Sequence, residues 1–204
     1  RITFDDVIDE IKSEADESLR QISGIDSDTF EKTTTAIRTR GFWLGTNLIT
    51  ALIAASVINI FKDTLEQVIF LAVLMPIIAS MGGVAATQTL TITVRGLALG
   101  QIVKANYLYL FNRELIVGIS NGFLWAVILS LIACTWFQDW LLAWVICLSM
   151  IINLTAGVLS GMGIPILLRS LKLDPAVAGS VIVTTVTDVI GFFSFLGLAS
   201  YFYS

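Results

Sequence analysis

The chain has 204 residues, of which 56% are hydrophobic and only 14% charged, and it carries no histidine and two cysteines. That balance excludes an ordinary soluble domain and a disulfide framework, and it leaves oxygen ligands as the realistic metal chemistry. The formal net charge of -4 hides a strong asymmetry, because ten of the 16 acidic residues fall between Asp5 and Glu31. No nucleic-acid partner is expected.

Residues 1–32 read as an acidic amphipathic helix with a linker. Thr3 and Asp6 fit a capping box, and Ile8, Ile11, Ala15, Leu19 and Ile22 recur at helical spacing. Asp5, Asp6, Asp9 and Glu10 crowd the opposite faces. They are either a solvated surface or a cation site, since a helix this acidic repels itself unless cations or basic surfaces neutralise it. The chain begins at Arg1 without a signal-peptide pattern and is expected to belong to something longer.

Residues 33–204 read as five membrane-spanning helices, making an all-α membrane protein. The first span is predicted over 41–61, and Lys62, Asp63 and Glu66 form a turn beyond it. The second runs from Gln67 to Gly100, longer than a bilayer requires, and Pro76, Gly82 and Gly83 are expected to break it. Ser80, Thr87, Gln88, Thr89, Thr91 and Thr93 add polar groups there, suiting either a pathway wall or a well-packed hydroxyl-rich helix. The third span is predicted over 112–135. The fourth follows a turn at 137–140 and passes through Asn153, Gly157, Gly161, Gly163 and Pro165 to Leu168.

The fifth span opens with Asp174 and Pro175, a strong helix start, and contains one further charge, Asp188. At about 1.5 Å per residue that carboxylate lies roughly 20 Å into a span some 30 Å thick. Even lenient insertion scales put the cost of a bare aspartate there at about 2.5 to 3.5 kcal/mol, so a cation, a proton or a hydrogen-bonding neighbour must compensate it. Ser180 and Thr184 lie four-residue steps before it and Gly191 three residues after, so hydroxyls, carboxylate and glycine share one helix face.

With five spans, eleven Lys and Arg residues fall on one side and Lys62 alone on the other. That bias predicts a cytosolic N-terminus and an external C-terminus in a multi-pass cell-membrane protein. Glycines four apart, at 41 and 45, 96 and 100, 118 and 122, and 157 and 161, predict close helix packing.

One buried aspartate on five helices makes a poor pore alone, whereas a two-fold homodimer places two around a shared axis. Two carboxylates about 8 Å apart repel by about 2 kcal/mol at an effective dielectric of 20. A divalent cation relieves that repulsion, and magnesium, held through few carboxylates and retained waters, fits a wide site of this kind. The rival reading is a proton- or sodium-coupled carrier in which Asp188 titrates and a broken second helix moves. A scaffold built on the glycine pairs is the non-transporting alternative.

MPIIASMGGVAATQTLTITVRGLALG and KLDPAVAGSVIVTTVTDVIGF resemble the second and fifth transmembrane helices of the MgtE family of magnesium channels, and TFDDVIDEIKSEADE is similar to the family's connecting helix. The resemblance covers essentially the whole chain. It implies a homodimeric, non-enzymatic Mg2+ channel in the lipid bilayer, with Asp188 as the pore carboxylate and Ser180 and Thr184 near the ion. It also implies cytosolic regulatory domains outside this sequence and a connecting helix that closes the pore at high cytosolic magnesium. Gly83, Thr87, Gln88 and Gly191 are expected to line the pore. Val84 and Thr87 stand where the family usually reads asparagine, while Gln88 is retained, which leaves the choice among magnesium, cobalt and manganese open.

Overall fold

The computed structural model describes residues 32–172 and 175–203. Helix α1 spans Thr33–Ile60, the short α2 Lys62–Gln67, α3 Phe70–Ala98, α4 Tyr107–Phe137, α5 Trp140–Ser170 and α6 Pro175–Tyr203, with one 3-10 turn at Lys104–Asn106 before α4. Among the described residues, five helices are long and apolar enough to cross a membrane, as expected. The acidic segment with Asp5, Asp6, Asp9 and Glu10 lies outside the described residues.

Several boundaries differ from the reading of the sequence, and α4 begins at Tyr107, five residues before the predicted 112, and runs to Phe137. α1 begins at Thr33, about two turns before Gly41, because apolar content marks the lipid core whereas the helix continues past it through Arg38 and Arg40. The second span is not broken: α3 is one continuous helix over Phe70–Ala98, and the segment before it folds separately as α2. Pro76 sits near the start of α3, where its missing N–H costs one hydrogen bond to the first turn. Gly82 serves close packing instead of a break, as described below.

Turn chemistry sets where the helices stop. Gly100 adopts φ +66° just past α3, and the N–H groups of Gln101 and Ile102 donate to the Gly96 carbonyl at 2.9 and 3.1 Å. Gln138 ends α4 with φ 56°, donating backbone N–H to Cys134 O and side-chain Nε2 to Thr135 O. Asp139 then caps α5, its Oδ1 accepting from Leu141 N at 2.8 Å and Leu142 N at 3.1 Å.

α5 is the central helix, packed against α3, α4 and α6. Glu114, Gly118, Gly122, Ala126 and Ser130 form a buried stripe on α4 at four-residue spacing. It meets α5 in antiparallel fashion, with Gly118 at Val158, Gly122 at Leu154 and Ser130 Oγ donating to Ala143 O at 2.9 Å. α3 runs parallel to α5: Gly157 faces the Gly82 carbonyl, Gly161 faces the Ala86 carbonyl, and Arg169 Nη1 donates to Leu97 O at 2.9 Å. A β-carbon would come within 2.7 Å of that carbonyl at Gly157 and, at Gly161, close enough to force the helices apart. Lipid tails are as apolar as leucine side chains, so such backbone approach and interhelical hydrogen bonds hold the bundle where hydrophobic burial cannot.

α1 is peripheral. Ala54 is its one buried residue, and Leu44, Leu48 and Leu52 are each more than half exposed, as suits side chains facing lipid. Its far end is fixed to α6 by an edge-to-face pair of Phe61 and Phe193 rings, centroids 5.7 Å apart.

Candidate functional site

α6 presents two adjacent faces. Gly179, Val183, Thr187, Gly191, Phe195 and Ala199 recur every four residues and are buried, whereas Ser180, Thr184 and Asp188, one position on, are half-buried. The three predicted ion ligands therefore lie on one strip that the bundle covers only in part. Gly191 lies instead on the packed face, where a β-carbon would come within 2.8 Å of the Asn153 amide.

Beside that strip runs an open groove of about 780 Å³, lined by Ser80, Gly83, Thr87, Gln88, Thr91 and Ile92 of α3 and by Thr184 of α6. Gly83, Thr87 and Gln88, singled out from sequence, are thus brought together with Thr184, and Asp188 follows Thr184 by one helical turn. A β-carbon on Gly83 would meet no atom within 4 Å, so the groove is wide there. Val84 lines the same groove.

The hydroxyl groups there have a fixed polarity. Thr87 Oγ1 donates to Gly83 O at 2.8 Å, Thr91 Oγ1 to Thr87 O at 2.9 Å, and Thr184 Oγ1 to Ser180 O at 2.9 Å. A hydroxyl has one hydrogen and two lone pairs, so with the hydrogen bound to the backbone each oxygen offers the groove only acceptor capacity. Water bound to a cation donates hydrogen bonds outward, and an acceptor surface beside a carboxylate matches it; an anion's hydration shell does not fit.

Charge in the neighbourhood is sparse. The ion pairs among the described residues, Lys62–Glu66 at 3.6 Å and Arg113–Glu114 at 3.7 Å, lie toward helix ends and leave Asp188 without a basic partner. No group of three or more Cys, Asp or Glu side chains placed to hold a metal ion occurs among the described residues. A single chain therefore offers one carboxylate and neutral oxygens, which suits a cation that keeps most of its water.

The sequence reading gives Asn153 no role beyond a place in the fourth span. It is fully buried in α5, donates Nδ2 to Ile78 O of α3 at 2.7 Å, and leaves Oδ1 without a partner. The signal for it is the one side-chain amide in a largely apolar 31-residue helix, which polar satisfaction within lipid makes conspicuous.

Five long apolar helices, one of them carrying a half-buried strip of carboxylate and hydroxyls beside a groove, define a multi-pass membrane protein. A family profile described as MgtE, divalent cation transporter, matches residues 75–198, so the chain belongs to the MgtE family, a family of transporters and not of enzymes. It is similar to the magnesium transporter MgtE of Bacillus subtilis, 35% identical over 203 residues, and to that of Enterococcus faecalis, 30% identical over 202. The magnesium transporter MgtE of Thermus thermophilus is 28% identical over 204 residues. These matches cover 97–98% of this chain but 45% of each relative, so the chain spans about half the length of the curated relatives it matches.

Proposed function

We propose that the protein conducts Mg2+, largely hydrated, across the cell membrane through a path on a homodimer axis, with Asp188 as its principal ion-binding carboxylate. The observation that carries this reading is the groove lined by Thr87 and Gln88 of α3 and by Thr184 of α6, one turn from Asp188. Ser180 continues the same strip. Two copies supply two carboxylates, enough to balance a divalent charge. The relatives named as magnesium transporters support the choice of ion.

The eleven-to-one distribution of Lys and Arg supports a cytosolic N-terminus and an external C-terminus. The length of the relatives supports regulatory domains outside this sequence, and the acidic segment with Asp5, Asp6, Asp9 and Glu10 would couple them to the pore as a magnesium-sensing latch. The unbroken course of α3 favours a channel over a coupled carrier, whose moving element was to be an interrupted helix.

Uptake of magnesium, cobalt, manganese and calcium into liposomes containing the protein, with and without Asp188→Asn, tests the proposal. Magnesium uptake that needs Asp188 and no proton gradient is expected. Uptake unchanged in Asp188→Asn, or proportional to an imposed proton gradient, would overturn it.

A further inference from the structure

Asn153 sits where three helices meet. Its amide donates to the Ile78 carbonyl of α3 at 2.7 Å, and the side chain is wholly buried with Oδ1 unpartnered. A β-carbon on Gly82 of α3 would overlap that amide, and one on Gly191 of α6 would lie 2.8 Å from Nδ2. Both glycines are thus the recesses that admit a planar amide between α3 and α6. Gly82 adjoins Gly83 in the groove wall, and Gly191 lies one turn beyond Asp188.

We infer that Asn153 is a positioning residue for the ion path: its amide is the spacer that fixes the separation of α3 and α6 at the level of Asp188. It holds α3 through a hydrogen bond and α6 through contact alone. The distance between the threonines of α3 and the carboxylate strip of α6 then follows from the thickness of one amide, and so does the size of hydrated ion that fits between them. An apolar side chain of similar volume would fill the space without the anchoring bond, and a smaller one would let the glycine backbones close on each other. This inference rests on the ion-path reading of the groove.

The test uses the protein reconstituted in liposomes, with initial magnesium and calcium uptake measured for Gly191→Ala, Asn153→Ala, the double variant and Asp188→Asn. Gly191→Ala, which drives a methyl group into the amide, is expected to reduce magnesium uptake about tenfold or more, in line with the penalty for overpacking. Asn153→Ala in the Gly191→Ala background removes the obstruction and is expected to recover at least about fivefold of that loss, by the coupling seen between touching residues. Recovery with a calcium-to-magnesium ratio different from that of the unmodified protein is the supporting result, because a residue needed only for folding would not alter which ion passes. A double variant no better than Gly191→Ala, or one recovered with an unchanged ion ratio, overturns the inference. If Asp188→Asn keeps full uptake, the ion-path reading itself fails, and the Gly191–Asn153 comparison still reports whether the two residues are coupled.

Discussion

Tyr203, in the last turn of α6, donates its phenolic hydrogen to Oδ2 of Asp139, the residue whose other oxygen caps α5. One carboxylate thus closes the α4–α5 turn and ties it to the end of the helix that carries Asp188. Burial raises the Asp139 pKa, but the Tyr203 hydroxyl and the N–H groups of Leu142 and Leu141 lower it further, and the net direction is down. A carboxylate whose folded pKa is depressed stabilises the fold above its unfolded pKa of about 3.9 and loses that contribution as pH falls through the folded value. Asp139→Ala is therefore expected to cost about 1 kcal/mol at neutral pH through the lost cap, and Tyr203→Phe less. In thermal melts the difference from the unmodified protein should shrink below about pH 4.

The glycines separate by environment. At Gly161 an added methyl group would run into the Ala86 carbonyl, and at Gly157 it would come within 2.7 Å of the Gly82 carbonyl. Gly161→Ala and Gly157→Ala should each destabilise the bundle by about 1–3 kcal/mol or more through overpacking. Gly163 and Gly45 meet nothing within 4 Å, so alanine there is expected to be neutral or to stabilise by about 0.5–1 kcal/mol through helix propensity. Detergent melts of the four variants would decide; equal loss in all four would contradict the packing described.

Magnesium should stabilise the folded protein by mass action. At a concentration about 100 times the dissociation constant the expected gain is about 2.7 kcal/mol, seen as a rise in the melting midpoint. Asp188→Asn should melt like the unmodified protein without magnesium and show little further rise with it. A full rise in the variant would place the ion elsewhere.

Thr87 and Thr184 test the acceptor surface of the groove. Replacement by valine keeps the branched shape and removes the oxygen, whereas serine keeps the oxygen. With about 0.5–1.5 kcal/mol for each hydrogen bond lost, each valine variant should lower magnesium uptake about two- to tenfold, and each serine variant should change it little. Parallel losses in both series would point to packing in place of ion contact.

Neutralising Asp5, Asp6, Asp9 and Glu10 together addresses the proposed latch. The magnesium concentration that halves channel opening should move by at least about fivefold, the lower end of ordinary allosteric coupling, while single-channel conductance stays the same. Conductance falling in step with opening would assign the cluster to the permeation path.

The amino-acid sequence by itself determined the number of spans and the place of the one carboxylate in the last of them, because lipid imposes length, apolar content and charge placement residue by residue. It also put Ser180, Thr184 and Asp188 on a common strip, since helical spacing is a local property. Only the tertiary structure decided which way each glycine is used. Gly191 shares the carboxylate's turn yet belongs to the packed face, and Gly82, expected to break α3, recesses it for Asn153. The same holds for the groove, which exists because α3 lies beside α6 and brings Thr87 and Thr184 to one open surface. A hydrophobic pattern reports whether a position suits lipid or a helix interior, but the partner across an interface is fixed by how close two backbones can come, and that distance is a property of the assembled helices.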